Sequence, residues 1–516
     1  MPDAIESSAA LEPSVPIEPM DEHNRRLLAN VHPPQWVNPE PADRYNLVVI
    51  GAGAGGLVSS IGSASLGAKV ALVERSLLGG DCLNVGCVPS KALIRCARAY
   101  ADVRDAEQYG VKVAGTAEVD FPAVMERMRR LRAHISRNDS VQRLRNEGVD
   151  LFLGDARFAG PDSIEVDGRR LRFRKAVIAT GARPSAPPIP GLAETGYLTN
   201  ENVFWLTALP KRLAVIGAGP IGCELAQAFA RLGSKVYLFE AMHGIMPNED
   251  RDAADVVWNE MARDGVELFC CGQHLTVSRD PDGKRLVVDS HGRHVDVMVD
   301  EILVGVGKKP NVEGLNLQAA GVGYDQKKGV LVNDRMQTSN RNIYAVGDVC
   351  YPHKFTHVSD ALARIALRNA LFFGRAKASD LVIPWCTYTD PEVAHVGMYE
   401  KNAKEQGIEV ETYRVDLSDV DRAILDGEDR GFVKVLTRKG THKILGATLV
   451  ARHAGEMISE ITLAMVAGAG LKTLSKTIHP YPTQAEVIRK AGDAYFRSRL
   501  TPTVKKLFAK FLAWRR

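Results

Sequence analysis

The chain has 516 residues, 45 % of them apolar and 25 % charged, with a formal net charge of +4. That length exceeds one ordinary core and predicts two to four domains. The charge bias is slight and no aromatic-basic stripe accompanies it, which excludes a nucleic-acid partner; no apolar run approaches the roughly 18 residues of a membrane-spanning helix.

The opening stretch, MPDAIESSAALEPSVPIEPMDEHNRR, has neither the basic n-region nor the apolar h-region of a secretory signal. Its Pro, Glu and Ser content predicts a flexible or surface-hugging arm over residues 1–43. A cytoplasmic protein is expected. In that reducing compartment the eight cysteines (82, 87, 96, 223, 270, 271, 350 and 386) are not expected to form permanent staples.

Next comes YNLVVIGAGAGGLVSSIGSASLGAKVALVE, Tyr45 to Glu74. An apolar β-branched run leads into Gly-x-Gly-x-x-Gly, a helical pattern, and a second apolar run ending in an acid. The pattern returns as KRLAVIGAGPIGCELAQAFARLGSKVYLFE, Lys211 to Glu240, with the same glycine-to-acid spacing. Gly51 and Gly217 suit the tight strand-to-helix turn. Gly53 and Gly219 leave room for a pyrophosphate, and Gly56 and Gly222 let helix and strand approach closely. Helix N-termini offer free N–H groups to the anion, and Glu74 and Glu240 accept from ribose hydroxyls. One such motif is weak evidence. Two, each in its strand–turn–helix context, predict two bound dinucleotides. An acid at position 240, with no arginine after it until Arg251, favours NADH over NADPH.

Between the repeats lies GGDCLNVGCVPSK, Gly79 to Lys91. Cys82 and Cys87 admit three readings: a structural staple, half of a metal site, or a redox pair. The compartment weakens the first. The second needs another close pair, and the adjacent Cys270 and Cys271 would point to opposite faces if extended, so zinc is a weak competitor and no resident metal is expected. KAVIATGARP, Lys175 to Pro184, and RNIYAVGDV, Arg341 to Val349, frame the second repeat as glycine-ended strands. They suggest a first nucleotide domain interrupted by the second, with Asp348 at a strand end near a ribityl or ribose hydroxyl.

Together these motifs resemble the pyridine nucleotide-disulfide oxidoreductases, the class I flavoprotein disulfide reductases, over roughly residues 44–500. PWCTYTDPEVAHVG, Pro384 to Gly397, is similar to the start of that family's dimerisation domain. The resemblance implies an α/β fold with two Rossmann-like dinucleotide-binding domains, FAD (44–185 and 320–380) and NAD(P) (186–319), and a C-terminal α+β dimerisation domain (384–500). It implies a homodimer with one tightly bound FAD per subunit. Cys82 is then the interchange thiol that meets the acceptor and Cys87 the charge-transfer thiol facing the flavin. Lys91 pairs with Glu224 near the flavin, and Thr180, Gly181, Gly307 and Asp348 join the fingerprint glycines as cofactor-lining positions.

Thiol-specific members carry His-Pro-x-x-x-Glu at the C-terminal site. Here IHPYPTQAE, Ile478 to Glu486, puts Tyr481 in the histidine's place, with His479 two positions upstream. A phenol titrates near about 10, an imidazole near about 6.5, so tyrosine is a poor proton shuttle. Mercuric reductases within the family resemble this chain in that tyrosine and in one matching Tyr197. Yet the chain ends in FLAWRR, without their C-terminal cysteine pair, and lacks an N-terminal Cys-x2-Cys module. The implied activity is transfer from NAD(P)H through FAD and the Cys82–Cys87 pair to a metal ion or small oxidant. Tyr481 and Glu486 would face Cys82 across the dimer interface. The alternatives are a dihydrolipoamide dehydrogenase-type dithiol oxidoreductase and a membrane- or protein-associated redox sensor. Finally, TPTVKKLFAKFLAWRR, Thr501 to Arg516, predicts a basic amphipathic helix able to rest on an anionic membrane surface.

Overall fold

A computed structural model describes residues 15–115 and 117–516. Three sheets organise it. The first is seven-stranded, in the order Val149–Leu153, Val70–Glu74, Tyr45–Ile50, Arg169–Ile178, Ser163–Val166, Ala156–Gly160, with Ile343–Ala345 also pairing Arg169–Ile178. Its central strands run parallel, with Val48 opposite Ala71 and Ala176. All five side chains of Val70–Glu74 are buried, as expected of a parallel strand covered on both faces. Helix Thr356–Leu371 packs on the first fingerprint helix, Ala54–Ser65.

The second sheet orders Glu267–Phe269, Lys235–Phe239, Arg212–Ile216 and Glu301–Val304, all parallel. A three-stranded antiparallel meander, Gln273–Asp280, Gly283–Ser290 and Arg293–Val299, follows its edge strand in the chain. The chain enters this unit through Ala182–Pro184 and leaves through Lys308–Pro310, and those two short strands pair antiparallel. Thr180 Oγ1 donates to Asn311 O at 2.8 Å and Asn311 Nδ2 to Thr180 O at 2.9 Å, closing the crossing.

The third sheet is five-stranded and antiparallel: Pro384–Thr387, Glu392–Gly397, Ile444–Ala451, Phe432–Arg438, Val410–Asp416. Helices Ala454–Val466 and Glu486–Arg499 cover it around Val435, Leu449, Ile461 and Val487. Arg231, at the end of the second fingerprint helix, joins all this to the rest: it pairs with Asp264 at 2.8 Å and with Asp390 at 2.7 Å.

Of the two alternatives expected for residues 1–43, flexible or surface-hugging, the arm from residue 15 onward lies packed on the protein; its first fourteen residues lie outside those described. Asp21 caps helix Glu22–Val31 by accepting from Asn24 N at 2.8 Å. Leu27, Leu28 and Val31 are buried in the first sheet's core. The arm is rich in Pro and Glu, but these three apolar residues at helical spacing are enough to dock it. Arg132, on helix Phe121–Ile135, is 1 % exposed and locks the arm in place, donating to Asn24 Oδ1 and to Asn84 O, each at 2.7 Å. Helix Pro502–Trp514 forms as expected, capped by Thr501, but none of its residues is buried.

Candidate active site

The two fingerprints repeat in detail. Gly51 sits at φ 98° and Gly217 at φ 102°, a region closed to most side chains. A Cβ at Gly56 would fall 1.7 Å from Gly51 O, and one at Gly222 would fall 1.8 Å from Gly217 O, so both positions demand glycine for helix–turn contact. The middle glycines differ: a Cβ at Gly219 meets nothing within 4 Å and one at Gly53 meets only Gly80 Cα, at 3.9 Å. Both turns therefore present open backbone at a helix N-terminus. Glu74 accepts from Ala52 N at 2.6 Å and Ser76 N at 2.7 Å; Glu240 accepts from Ala218 N at 2.8 Å and Met242 N at 2.9 Å. Each carboxylate is thereby fixed at its strand end with lone pairs to spare. Arg251 turns back to donate to Ile245 O and Met246 O, so its guanidinium is spent on the loop backbone.

Cys82 lies in the short helix Gly80–Asn84, and Cys87 is the first residue of helix Cys87–Arg104. Both are free thiols. The hydrogen bond from the Cys82 thiol holds Cys87 down to about 6 from its usual 9.0, against burial and with help from Thr356 and Lys91. The same bond, and then burial, pushes Cys82 far above the usual thiol range. The reduced pair thus keeps one proton on Cys82 and a thiolate on Cys87, at a helix N-terminus that favours the anion. Thr356 Oγ1 lies 3.4 Å from Cys87 Sγ. A cleft of about 400 Å³ opens beside Cys87, lined by Lys91, Arg95, Arg127 and Leu131 among others.

One helical turn past Cys87, Lys91 Nζ donates to Glu224 Oε2 at 2.7 Å. Glu224 is held by Tyr388 N at 2.9 Å, and Lys91 stands 4.5 Å over the Tyr388 ring. Asp348, beyond strand Ile343–Ala345, meets Lys308 Nζ at 3.3 Å, and that amine also reaches Asp81 at 3.2 Å. Burial works to lower the pKa of Lys308, but the two carboxylates outweigh it and the net shift is upward. Gly181 and Gly307 lie at the chain crossing with φ 67° and 68°. Thr180 sits there too, its hydroxyl spent on Asn311. Thr356 and Lys308 are residues the sequence reading missed. Lys308 follows Gly307 directly and carried a signal; Thr356 stands 269 positions from Cys87 and carried none.

Tyr481 and Glu486 are expected to face Cys82 of the partner subunit, and within one chain they lie on the surface of the third-sheet domain. Tyr481 is 72 % exposed and donates to Asp421 Oδ2 at 2.9 Å. Glu486 accepts from Arg489 at 2.6 Å. His479 is tied to Glu460 at 3.0 Å with its side chain 6 % exposed. Tyr197 packs on the second sheet's core and lines a cavity with Arg279, Lys284 and Glu301; neither redox cysteine borders it. Cys223, Cys350 and Cys386 are pushed well above the usual thiol range, chiefly by burial, consistent with packing roles. The expectation that Cys270 and Cys271 diverge is wrong. Cys271 is left-handed, at φ 53°, and both thiols converge with His243 and His291.

The model of the pyridine nucleotide-disulphide oxidoreductases matches residues 45–368, and that of their dimerisation domain residues 383–492. The chain is 36 % identical over 451 residues to a mercuric reductase of Lysinibacillus sphaericus, covering 87 % of this chain and 82 % of that one. It is also 36 % identical over 467 residues to a dihydrolipoyl dehydrogenase of Thermus scotoductus, covering 87 % and 97 %. The solved copper(II) complex of RclA, an HOCl-induced flavoprotein disulfide reductase from Escherichia coli, superposes with a TM-score of 0.77 at 29 % identity, over 88 % of this chain and 99 % of that one. The chain therefore belongs to the pyridine nucleotide-disulphide oxidoreductase family and is an enzyme of that class. The family is FAD-dependent and uses NAD(P)H, and the dimerisation domain supports a homodimer. The residues fit those cofactors: two open glycine turns, two strand-end carboxylates, and the Lys308 cation between Asp81 and Asp348. Among the described residues, no helix is long and apolar enough to cross a membrane.

Proposed function

We propose that this enzyme passes electrons from NADH through the Cys82–Cys87 pair to a metal ion or small non-thiol oxidant. Bound FAD supplies the two-electron relay between nicotinamide and the thiol pair. Cys87 holds the thiolate, and the family resemblance assigns it to the flavin side and Cys82 to the acceptor. Lys91, braced by Glu224, keeps positive charge beside that thiolate. Lys308 bridges Asp81 and Asp348, and Asp348 would bind a ribityl or ribose hydroxyl of the first nucleotide. For a mercuric acceptor the balance is NADH + Hg²⁺ → NAD⁺ + H⁺ + Hg⁰; for cupric ions, two Cu²⁺ accept the two electrons.

The observation that carries the choice of acceptor is Tyr481, exposed, in the place of the proton-carrying histidine, while His479 is held by Glu460. The names of the mercuric reductase relative and the copper-complexed neighbour point the same way. Glu240, with Arg251 spent on loop carbonyls, supports NADH over NADPH. The test is NADH and NADPH oxidation by the purified flavoprotein, with lipoamide in one arm and Hg(II) or Cu(II) in excess thiol in the other. Turnover with metal and not lipoamide is expected. Fast lipoamide turnover would instead establish a dithiol oxidoreductase.

We also infer that residues 501–516 rest on an anionic lipid surface. Leu507, Phe508, Phe511 and Leu512 are exposed on a helix whose segment has basic residues and no acid. Flotation with phosphatidylserine vesicles, weakening with added salt, is the expected result; no binding at low salt would end the idea.

A further inference from the structure

Away from the flavin-side cysteines, the second sheet gathers four metal-ligating side chains from three loops. Cys270 and Cys271 follow strand Glu267–Phe269, His243 follows strand Lys235–Phe239, and His291 occupies the turn between Gly283–Ser290 and Arg293–Val299. One ligand atom from each lies within 4.8 Å of all the others. Cys270 Sγ stands 3.2 Å from His291 Nε2, and Cys271 Sγ stands 3.6 Å from His243 Nδ1. Tetrahedral zinc, with bonds of about 2.3 Å to sulfur and about 2.0 Å to nitrogen, spaces its ligand atoms by roughly 3.3–3.8 Å. Those two pairs already stand at about that separation, and the other pairs lie within 4.8 Å, so a bound ion needs only small side-chain adjustments.

Two features of the backbone make the convergence specific. Adjacent residues in an extended chain send their side chains to opposite faces. Cys271 departs from that at φ 53°, and His291 is left-handed as well, at φ 52°. Cross-loop hydrogen bonds then hold the three loops in register. Cys271 N donates to Met242 O at 3.0 Å, Gly272 N to Glu240 O at 3.0 Å, and Ser290 Oγ to Cys270 O at 2.7 Å. Cys270 is buried, Cys271 half-buried, and both histidines are exposed, so the cluster has an entry path from solvent.

We propose that Cys270, Cys271, His243 and His291 form a tetrahedral Cys2His2 site for a borderline-soft d10 cation of the Zn²⁺ class. Two thiolates and two neutral imidazoles are the donor set such ions select over hard cations. Binding converts two thiols to thiolates and releases two protons, with no change of oxidation state. The site lies on the loop that carries Glu240, so an ion there ties His243 to the strand ends behind the second dinucleotide turn. This assignment does not depend on the identity of the electron acceptor.

The test uses full-length FAD-loaded protein carrying Cys82→Ser and Cys87→Ser, which removes the redox thiols as rival ligands. Zn²⁺ is titrated against a chelating indicator under reducing conditions. Co²⁺ is then substituted and its d–d bands read in the red, beyond flavin absorption. One Zn²⁺ per subunit and intense tetrahedral Co²⁺ bands are expected. His291→Ala, at an exposed turn, and Cys271→Ser should each weaken Zn²⁺ by more than about a hundredfold, since loss of even an outer-shell partner costs about 10–100-fold. No tight equivalent, or affinity unchanged in both variants, would overturn the proposal. So would mass spectra showing a Cys270–Cys271 disulfide that survives the reductant.

Discussion

Asn24 and Asn84 are joined by one buried guanidinium. Arg132 donates to the amide oxygen of the first and the backbone carbonyl of the second, each at 2.7 Å. Asn84 sits between Cys82 and Cys87 and itself donates to Leu78 O and Gly80 O. The N-terminal helix is therefore a brace behind the redox loop. Arg132→Leu removes both bonds and leaves two buried acceptors unsatisfied, at about 1–3 kcal/mol each. The urea midpoint of the holoenzyme should fall, and Asn24→Ala should produce a smaller fall. An unchanged midpoint in both variants would show that the arm bears no load.

Lys91 and Glu224 act on Cys87 with opposite signs. The Lys91 charge lowers its pKa and the Glu224 charge raises it. Lys91→Met should therefore move the thiolate titration above about 6, and Glu224→Gln should move it below. Thiolate absorbance of the reduced protein against pH, read as a difference from Cys87→Ser, gives both shifts. Shifts of the same sign would mean the substitutions act through packing instead.

The stability of the reduced protein should follow the two thiols. Cys87 has a folded pKa of about 6 against 9.0, a depressed acid, so its contribution is full above 9.0 and is lost as pH falls through about 6. Cys82 is shifted the other way, so the unfolded chain ionises it more readily and stability declines once pH passes 9.0. Melting temperature should rise from pH 6 toward pH 8–9 and then fall. Cys87→Ser should flatten the lower limb, and a limb that persists in that variant would assign it to other groups.

Tyr481 tests the choice of acceptor. Tyr481→His places an imidazole where thiol-specific relatives are expected to carry one. Positioned acid–base groups contribute about 10²–10⁴-fold, and a graft whose orienting Glu486 is shared with Arg489 should recover the lower end, roughly ten- to a hundredfold, in lipoamide kcat/KM. Tyr481→Phe, which also frees Asp421, should leave lipoamide turnover unchanged and lower turnover with the metal ion. Equal losses with both acceptors would point to damage of the dimer face.

The repeated strand–glycine–helix–strand units were legible because their chemistry is local. Gly51 and Gly217 are read within a few residues of the strands they end, and the structure gives both the left-handed turn that motif requires. The pairing of Lys91 with Glu224 was legible through resemblance. What stayed hidden depends on residues far apart in sequence. Thr356 reaches Cys87 only through the packing of two helices. Three buried apolar residues in the arm were outweighed by its polar composition. Cys270 and Cys271 were misjudged because their geometry turns on one left-handed residue, and a cysteine there announces no such conformation.

The closed crossing at Ala182–Pro184 and Lys308–Pro310 has a consequence for the order of folding. Strand Ile343–Ala345 must find Arg169–Ile178 across the whole inserted unit. In an open chain that pairing carries the entropy of a very long loop, although each doubling of loop length adds only about 0.6 kcal/mol. Once the insert folds, its paired ends bring residue 310 beside residue 182, and the remaining search is short. The insert thus serves as a splint, and its sheet should gain hydrogen-exchange protection during refolding before the Ile343 edge of the first sheet does.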